Sequence, residues 1–283
     1  MTRILAALKL AAVVVTGSAL APVQWIAVRA GHDSARHIPC LFHRSVCRII
    51  GMRVRVHGEP GDGRPLLIAA NHASWLDIVV IGALMPVSFV AKAEVDRWPV
   101  FGLLARLQRT IFVDRTRRTK TGEVASAIAD RLGAGDPVVL FAEGTSSDGN
   151  RVLPFRSALL GATREALGHD GAYVQPMAIS YVALNGLPMG RRERPLAAWY
   201  GDMEMLPHLW GIMKNGPIDV VVALAEPIRV DDATDRKRLA NDAHARVRAL
   251  AGEIRRGLPA AATGAAPVRV LPPALIPALA RAR

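Results

Sequence analysis

The chain has 283 residues, of which 51% are hydrophobic and 5% aromatic, and its formal net charge is +12. This length suits one sizeable α/β domain with additions at its ends. A strongly basic chain attracts nucleic acid, anionic lipid surfaces and acidic proteins. The sequence has no zinc-finger spacing, no basic heptad helix and no pair of basic strands with interleaved aromatics, so it lacks the common nucleic-acid modules. A membrane surface and an acidic protein are therefore the favoured partners.

The N-terminal segment is long and apolar. Residues 4–28 contain only four polar side chains, with Arg3 before them and Arg29 after them. At about 1.5 Å per residue, a helix of this length is long enough to span a bilayer, although Pro22 interrupts it. The alternative is a cleaved signal peptide, because a basic start, an apolar core and Ala19-Leu20-Ala21 resemble one.

A second, amphipathic helix is predicted over 34–51. Ile38, Phe42 and Val46 recur at helical spacing, whereas arginines mark another face. An apolar face with a basic flank suits the bilayer interface. We therefore expect residues 1–51 to be membrane-anchoring helices that form a hairpin in one leaflet; the alternative is a helix packed on the domain that follows.

The chain has two cysteines, Cys40 and Cys47, both in this helical segment. Their spacing and apolar surroundings favour packed thiols over a disulfide or a metal site. The eight histidines show no metal-ligand spacing, so no metal is predicted.

Residues 52–256 predict the main domain, and the Ala/Pro-rich residues 257–283 predict a flexible tail. Strands separated by helical patterns indicate an α/β fold with a mostly parallel mixed sheet covered by helices. The predicted strands are 52–57, 65–70, 87–91, 108–115, 138–142, 173–181, 195–199 and 218–224, and the predicted helices are 74–84, 97–106, 119–133, 155–168 and 231–256.

The most informative motif is Asn71-His72-Ala73-Ser74-Trp75-Leu76-Asp77. It follows the apolar run 65–70, which is long enough for a buried strand, so His72 is expected where the sheet ends and a cleft can begin. Residues five apart in a regular helix are rotated by about 140°. Contact between His72 and Asp77 therefore requires a turn that curls back onto the start of the next helix.

A histidine held by a carboxylate can deprotonate a weakly acidic hydroxyl. One ring nitrogen takes the proton, while Asp77 fixes the tautomer and favours the imidazolium that forms. No Gly-x-Ser-x-Gly nucleophile motif accompanies the pair, since Gly144-Thr145-Ser146-Ser147-Asp148-Gly149 lacks the second glycine at the right position. The pattern favours direct attack by a bound hydroxyl over a covalent intermediate. The alternative is a structural pair that caps a turn and starts a helix.

Three further segments follow in order: Gln108–Arg115, Val138–Thr145 and the proline-containing Val174–Ile179. With the His-Asp motif they resemble the successive motifs of the glycerolipid acyltransferases, the family of bacterial 1-acylglycerol-3-phosphate acyltransferases. The resemblance covers about residues 50–230 and implies a fold like that of glycerol-3-phosphate acyltransferase. It also implies transfer of an acyl chain to the free hydroxyl of a lysolipid in membrane lipid biosynthesis.

The resemblance implies His72 as the general base and Asp77 as its partner. It implies Arg115 as a head-group ligand. Acceptor-site residues follow the second buried strand, namely Glu143, Gly144 and Thr145. Lys92, at the end of a predicted strand, is placed to reach the oxyanion of the attacked thioester; alternatively it only pairs with the nearby Glu94.

One position departs from the family. Phosphate-binding members carry Glu-Gly-Thr-Arg, whereas Ser146 follows Thr145 here, so one guanidinium for a bidentate phosphate contact is missing. Segments 141–155, 189–191 and 199–202 look most like the branch that includes lyso-ornithine lipid acyltransferases, whose acceptor is the hydroxyl of a 3-hydroxyacyl chain on an amino-acid head group. Arg151 and Arg156 either supply the missing charge or are solvated.

The resemblance also sets the expected partners. The acyl donor is a thioester of acyl carrier protein or coenzyme A, used as a co-substrate with no cofactor, and the basic charge favours the acidic carrier. We expect the cytosolic face of the inner membrane as the location. The rival functions are a lipid or thioester hydrolase that uses the same pair, and a basic lipid-binding protein without activity.

Overall fold

A computed structural model describes residues 2–62, 65–113, 121–161 and 171–257. Its helices are α1 Thr2–Arg29, α2 Ser34–Ile50, α3 Leu76–Leu84, α4 Phe101–Leu107, α5 Thr121–Gly133, α6 Ser157–Leu160, α7 Met205–Lys214 and α8 Arg236–Arg255, with short 3₁₀ turns at Ala93–Arg97 and Arg194–Leu196. Its strands are β1 Met52–His57, β2 Leu66–Ala70, β3 Ser88–Lys92, β4 Ile111–Val113, β5 Val138–Phe141, β6 Ala172–Leu184, β7 Leu187–Pro188, β8 Ile218–Leu224 and β9 Ile228–Val230.

The described strands form one mixed sheet in the order β1-β8-β6-β2-β5-β3-β4, with β7 and β9 also paired to β6. The strands β6, β2, β5, β3 and β4 are parallel to one another. The remaining strands that pair with β6 are antiparallel to it. Every residue of β2 and β5 is buried, as expected for strands whose two faces are both covered.

Helices cover both faces of the sheet. Alternate side chains of β2 point to opposite faces, so Ile68 joins a core with α1, α2, α3 and α7. Leu67 joins a second core with α5, α6 and α8. The fold class predicted from the sequence is confirmed.

Hydrogen bonds near both of its ends hold the helix α1 against the rest of the domain. Lys9 Nζ donates to the carbonyl oxygens of Ile50 and Asn215 at 3.1 and 3.4 Å. The buried Gln24 donates to the carbonyl oxygens of Ala35 and Leu107 at 2.9 and 2.7 Å. The helix therefore runs along the domain beside α2, α4 and α7.

Away from these contacts, α1 presents apolar side chains to the surroundings. Ile4, Val15 and Ile26 are 69%, 67% and 60% exposed. Within the described ranges, α1 is the helix long and apolar enough to cross a membrane, with a mean hydropathy of 2.1. The free thiols of Cys40 and Cys47 are buried on α2, as predicted.

The predicted strand at 195–199 is wrong. Leu196 N and Ala197 N donate to the carbonyl oxygens of Glu193 and Arg194 in a 3₁₀ turn, because Pro195 favours a turn and has no N–H to give to a neighbouring strand. Of the predicted helix 155–168, the described residues are 155–161, and 157–160 of these form α6. The 257–283 tail lies outside the described residues beyond Gly257, and the three-part domain division stays a prediction.

Candidate active site

The carboxyl ends of three parallel strands place the predicted site residues at one edge of the sheet, here called the site edge. His72 follows β2 by two residues, Glu143 follows β5 by two residues, and Lys92 ends β3. Ligands and reacting groups of open α/β sheets lie beyond such strand ends. The order β2-β5-β3 sets Lys92 two strands away from His72.

The turn expected between His72 and Asp77 is present. His72 Nδ1 lies 2.8 Å from Asp77 Oδ2. Asp77 is in the first turn of α3, and its Oδ2 also accepts from the backbone N–H groups of Ala73 and Ser74 at 2.8 and 3.0 Å. The carboxylate therefore fixes both the imidazole and the backbone of the turn.

The other oxygen of Asp77 has a donor from a different strand. The hydroxyl of Tyr181, on β6, donates to Asp77 Oδ1 at 2.5 Å. Asp77 is fully buried, and a buried charge is tolerated only when it is well hydrogen-bonded. Since Asp77 accepts at His72 Nδ1, that nitrogen carries the hydrogen, and Nε2 is the basic atom.

The histidine is rigidly held yet reachable. Its ring stacks on Phe141 at a centroid distance of 4.0 Å and an angle of 17°. The carbonyl oxygens of His72 and Ala73 accept from the N–H groups of Ser147 and Trp199 at 2.9 and 2.8 Å. The His72 side chain remains 18% exposed, so a bound molecule can reach the imidazole.

A buried acid lies beside the histidine. Glu143 is 2% exposed, and its Oε1 accepts from the backbone N–H of His72 at 3.4 Å. Burial, with a smaller contribution from the Asp77 charge, raises the pKa of Glu143 to about 8, against hydrogen bonds from the His72 and Leu153 backbones that lower it. At neutral pH this carboxyl is therefore mostly uncharged, and its Oε2 has no hydrogen-bond partner among the described residues.

Gly144 allows an arginine to fold over the turn after β5. Its φ is +74°, and a Cβ built there would lie 2.7 Å from Arg156 Nε. The backbone N–H of Arg156 donates to the carbonyl oxygen of Ala142 at 2.8 Å. The guanidinium of Arg156 therefore packs against the turn that precedes Ser146, and a glycine is needed for both reasons.

The remaining predicted residues are less enclosed. Thr145 and Arg151 are exposed. Lys92 is 58% exposed with its Nζ 3.7 Å from Glu94 Oε1, which is the pairing considered as the alternative role. Arg115 lies outside the described residues, which stop at Val113 on that strand and resume at 121.

The sequence did not point to an asparagine that ties the loop after β5 to two other segments. Asn150 Oδ1 accepts from Arg194, its Nδ2 donates to the carbonyl oxygen of Arg191, and its carbonyl oxygen accepts from Arg255, each at 2.9 Å. Tyr181 was also missed. Strand alternation sets it on the face of Ile179, but no pattern in the sequence indicates its partner.

This arrangement suits proton abstraction from a hydroxyl. It has a carboxylate-held base, a neutral buried acid and an arginine at the adjoining turn. Ser147 does not fit as a nucleophile, because it is buried and its hydroxyl donates to the carbonyl oxygen of Arg151 at 3.0 Å.

Comparison with known proteins decides the family. Residues 53–180 match the family described as Acyltransferase. A lyso-ornithine lipid O-acyltransferase of Brucella abortus (strain 2308) is 51% identical over 246 residues, which are 86% of this chain and 92% of that protein. The chain belongs to the acyltransferase family. A protein of the same name from Rhizobium meliloti (strain 1021) is 44% identical over 84% of this chain and 82% of its own length.

Two further acyltransferases are more distant. A 1-acyl-sn-glycerol-3-phosphate acyltransferase of Neisseria gonorrhoeae is 32% identical over 72% of this chain and 76% of its own length. The crystal structure of the Thermotoga maritima 1-acyl-sn-glycerophosphate acyltransferase PlsC superposes with a TM-score of 0.62 at 20% identity, over 90% of this chain and 98% of that one. The fold of this acyltransferase is thus shared with PlsC, and the predicted family and enzyme class are confirmed.

Proposed function

We propose that this acyltransferase moves an acyl chain from a thioester to the free hydroxyl of a lysolipid at a membrane. The observation that carries the proposal is the His72–Asp77 pair at the site edge of a chain from this family. A hydroxyl whose pKa lies far above neutrality needs a base to become a nucleophile. His72 supplies that base, and Asp77 orients it.

The reaction proceeds by direct transfer. His72 Nε2 takes the acceptor's hydroxyl proton as the oxygen attacks the thioester carbonyl carbon. The C–S bond then breaks, and the leaving sulfur receives the proton from His72. The site mainly supplies proximity and orientation, with Glu143 positioning a polar part of the acceptor and Arg115 holding its head group.

A hydrolase would use the same pair to activate water, and acceptor dependence separates the two. Purified protein is incubated with one acyl thioester, and thiol release is followed with and without a panel of lysolipids. We expect release only when an acceptor is present, with the acylated lipid identified by mass. Equal release without any lysolipid would overturn the transferase proposal, and no release under any condition would favour a lipid-binding protein.

We propose lyso-ornithine lipid as the acceptor. The relatives at 51% and 44% identity bear that name, and Ser146 stands where phosphate-binding members have an arginine. A phosphate monoester carries nearly two charges and is best held by several forked guanidinium groups. The amino-acid head group carries one carboxylate and one ammonium and needs fewer of them.

Arg156 favours a second candidate, lysophosphatidate. Its guanidinium packs against Gly144, next to the position of the missing arginine, and it is a cation available to a phosphate from another direction. The Neisseria relative named for that activity is 32% identical. The two acceptors therefore need a direct comparison.

The two candidate acceptors are distinguished by kcat/KM, measured for both in the wild type, in Ser146→Arg and in Ser146→Lys. If lyso-ornithine lipid is the acceptor, the wild type prefers it, and Ser146→Arg shifts the preference toward lysophosphatidate by about 1–3 kcal/mol, the worth of a charged hydrogen bond. Ser146→Lys adds the charge without the fork and should shift it less. A strong wild-type preference for lysophosphatidate, unchanged in Ser146→Arg and weakened in Arg156→Gln, would establish the second candidate instead.

The donor is proposed to be acyl carrier protein or coenzyme A thioester, with the carrier favoured by the net charge of +12. The rate with acyl carrier protein should fall steeply with added salt, since exposed charges are screened within about 8 Å at physiological ionic strength. A salt-independent rate with the carrier would remove this argument.

We propose that α1 and α2 anchor the enzyme at the cytosolic face of the inner membrane, with α1 lying along one leaflet. The contacts of Lys9 and Gln24 hold α1 against the domain, whereas its other side is apolar and exposed. The protein should sediment with membranes, resist high salt and be released by detergent, because apolar burial is not screened. Recovery of a chain beginning near Pro22 from the periplasm would identify a signal peptide instead.

A further inference from the structure

We propose that Tyr181 is a positioning residue of the transfer reaction, which keeps Asp77 oriented toward His72 and makes its buried charge tolerable. This inference rests on the proposed function of His72 as the base. Tyr181 does not touch the reacting atoms; it acts through Asp77.

The two carboxylate oxygens of Asp77 accept hydrogen bonds from different groups. Oδ2 accepts from His72 and from the N–H groups of Ala73 and Ser74. At Oδ1, the hydrogen-bond donor among the described residues is the Tyr181 hydroxyl at 2.5 Å. Without that phenol, Oδ1 would be an anionic oxygen with no partner in a residue that is fully buried.

The phenol comes from a separate element. Tyr181 lies on β6, the strand beside β2, and is 2% exposed. Burial and the charge of Asp77 raise the pKa of Tyr181 well above its usual range. The hydroxyl therefore keeps its proton over the working pH range and serves as a fixed donor.

Loss of this donor has a definite electrostatic consequence. When His72 is neutral, the charge of Asp77 has no counter-ion and depends on the Tyr181 hydrogen bond. When His72 is protonated, the imidazolium neutralises that charge. Loss of the hydrogen bond therefore destabilises the first state more than the second. The pair then holds its proton more tightly. The acid limb of the activity profile moves to higher pH, because the base becomes available only when that proton has left.

The other titratable groups around the pair do not mimic this effect. Burial raises the pKa of Cys47, on α2, to about 12 and that of Glu143, after β5, to about 8. His208, on α7, accepts from Trp75 and has its pKa lowered by burial. All three are mostly uncharged near neutral pH.

The test compares Tyr181→Phe with Tyr173→Phe, the same substitution eight residues earlier on the same strand. In Tyr181→Phe, we expect the acid limb of kcat/KM to move up by about one pH unit and kcat to fall about tenfold. KM should stay within about twofold, because the lost contact is to the charged Asp77 and Tyr181 itself is buried. Tyr173→Phe should match the wild type. An unshifted profile in folded Tyr181→Phe overturns the inference.

Placing Tyr181→Phe in an Asp77→Asn background separates positioning from general packing. An amide has no charge to stabilise, so the second substitution should then change kcat by less than about twofold. An equal loss in both backgrounds would mean that Tyr181 only fills space.

A second variant covers the case in which Tyr181→Phe does not fold. Site-specific 3-fluorotyrosine at position 181 keeps the shape and strengthens the donor, so the acid limb should move to lower pH; no movement overturns the inference. The variant His72→Ala distinguishes a failure of the proposed function from a failure of the Tyr181 inference. Activity in His72→Ala sinks the proposed function itself, whereas an inactive His72→Ala with unaffected Tyr181 variants sinks only this inference.

Discussion

Two histidines in this molecule have different hydrogen-bond partners. His72 shares its Nδ1 hydrogen with a carboxylate and is 18% exposed. His43, on α2, is 7% exposed, and its Nε2 donates to Gln108 Oε1 at 2.8 Å, since the Gln108 amide nitrogen is committed to the carbonyl oxygen of Val87.

The partner decides what each ring can do. Burial lowers the pKa of His43 to about 4, and the smaller opposing effect is the hydrogen bond to the neutral amide of Gln108. His43 is therefore a neutral packing residue of α2, which lies against Gly82 of α3 and is hydrogen-bonded to Gln108. A carboxylate partner stabilises an imidazolium, so His72 can hold a proton transiently.

The largest expected effect is at the first histidine. His72→Ala should lower acyl transfer at least about 10²–10⁴-fold, the usual contribution of a general base, while the thermal unfolding midpoint changes little. His43→Gln, the matched change at the other histidine, should leave kcat within a few-fold. Near wild-type turnover in a folded His72→Ala protein would contradict the mechanism.

The buried Glu143, beside His72, should make the free energy of unfolding depend on pH. The folded state holds the proton up to about pH 8, whereas the unfolded chain releases it near 4.5, so the free energy of unfolding should fall as pH rises between these values, by at most about 1.4 kcal/mol per unit. Glu143→Gln should flatten this slope in urea unfolding. The exposed Glu94→Gln is the control and should leave it unchanged.

His43 should produce the opposite slope in a narrower window. Its pKa is lowered in the fold, so the unfolded chain binds the proton first, and the free energy of unfolding should fall as pH drops from about 6.5 to about 4. His43→Gln should remove this acid sensitivity, whereas His37→Gln, on an exposed position of the same helix, should not. Identical acid curves for His43→Gln and wild type would show that His43 titrates freely.

The smallest effect concerns the packing around His43. A Cβ at Gly82 would lie 2.4 Å from the His43 ring, so Gly82→Ala should destabilise by about 1–3 kcal/mol through overpacking. A Cβ at Gly211, also helical, meets nothing within 4 Å, and Gly211→Ala should stabilise by up to about 1 kcal/mol. Equal unfolding midpoints for the two variants would contradict the tight contact.

The sheet could be predicted because its signals are local. Buried apolar runs such as Leu66–Ala70, separated by helical patterns, indicate parallel strands without knowledge of the neighbours. The His72–Asp77 turn was predictable for the same reason, since both residues belong to one short motif. The false strand at 195–199 is apolar, but Pro195 has no N–H, and the N–H groups of Leu196 and Ala197 bond locally. The N–H of Trp199 donates to the turn that contains Ala73.

The rest of the site depends on contacts between residues that are far apart in sequence. Tyr181 meets Asp77 because β6 lies beside β2, and Arg156 covers Gly144 because the loop after β5 returns to Ala142. Neither contact can be predicted from the residues next to it in sequence, so Tyr181 was missed and the role of Arg156 was left open. Asn150 was missed because its three arginine contacts come from two segments at least 40 residues away.

The fastening of α1 at Lys9 and Gln24 has a consequence for how substrate arrives. In the proposed arrangement, with α1 along one leaflet, these two contacts give the whole domain the orientation of the helix. The height of the site edge above the bilayer would then be set by the fold rather than by a flexible tether, and lysolipid would reach the site by lateral diffusion within the membrane plane.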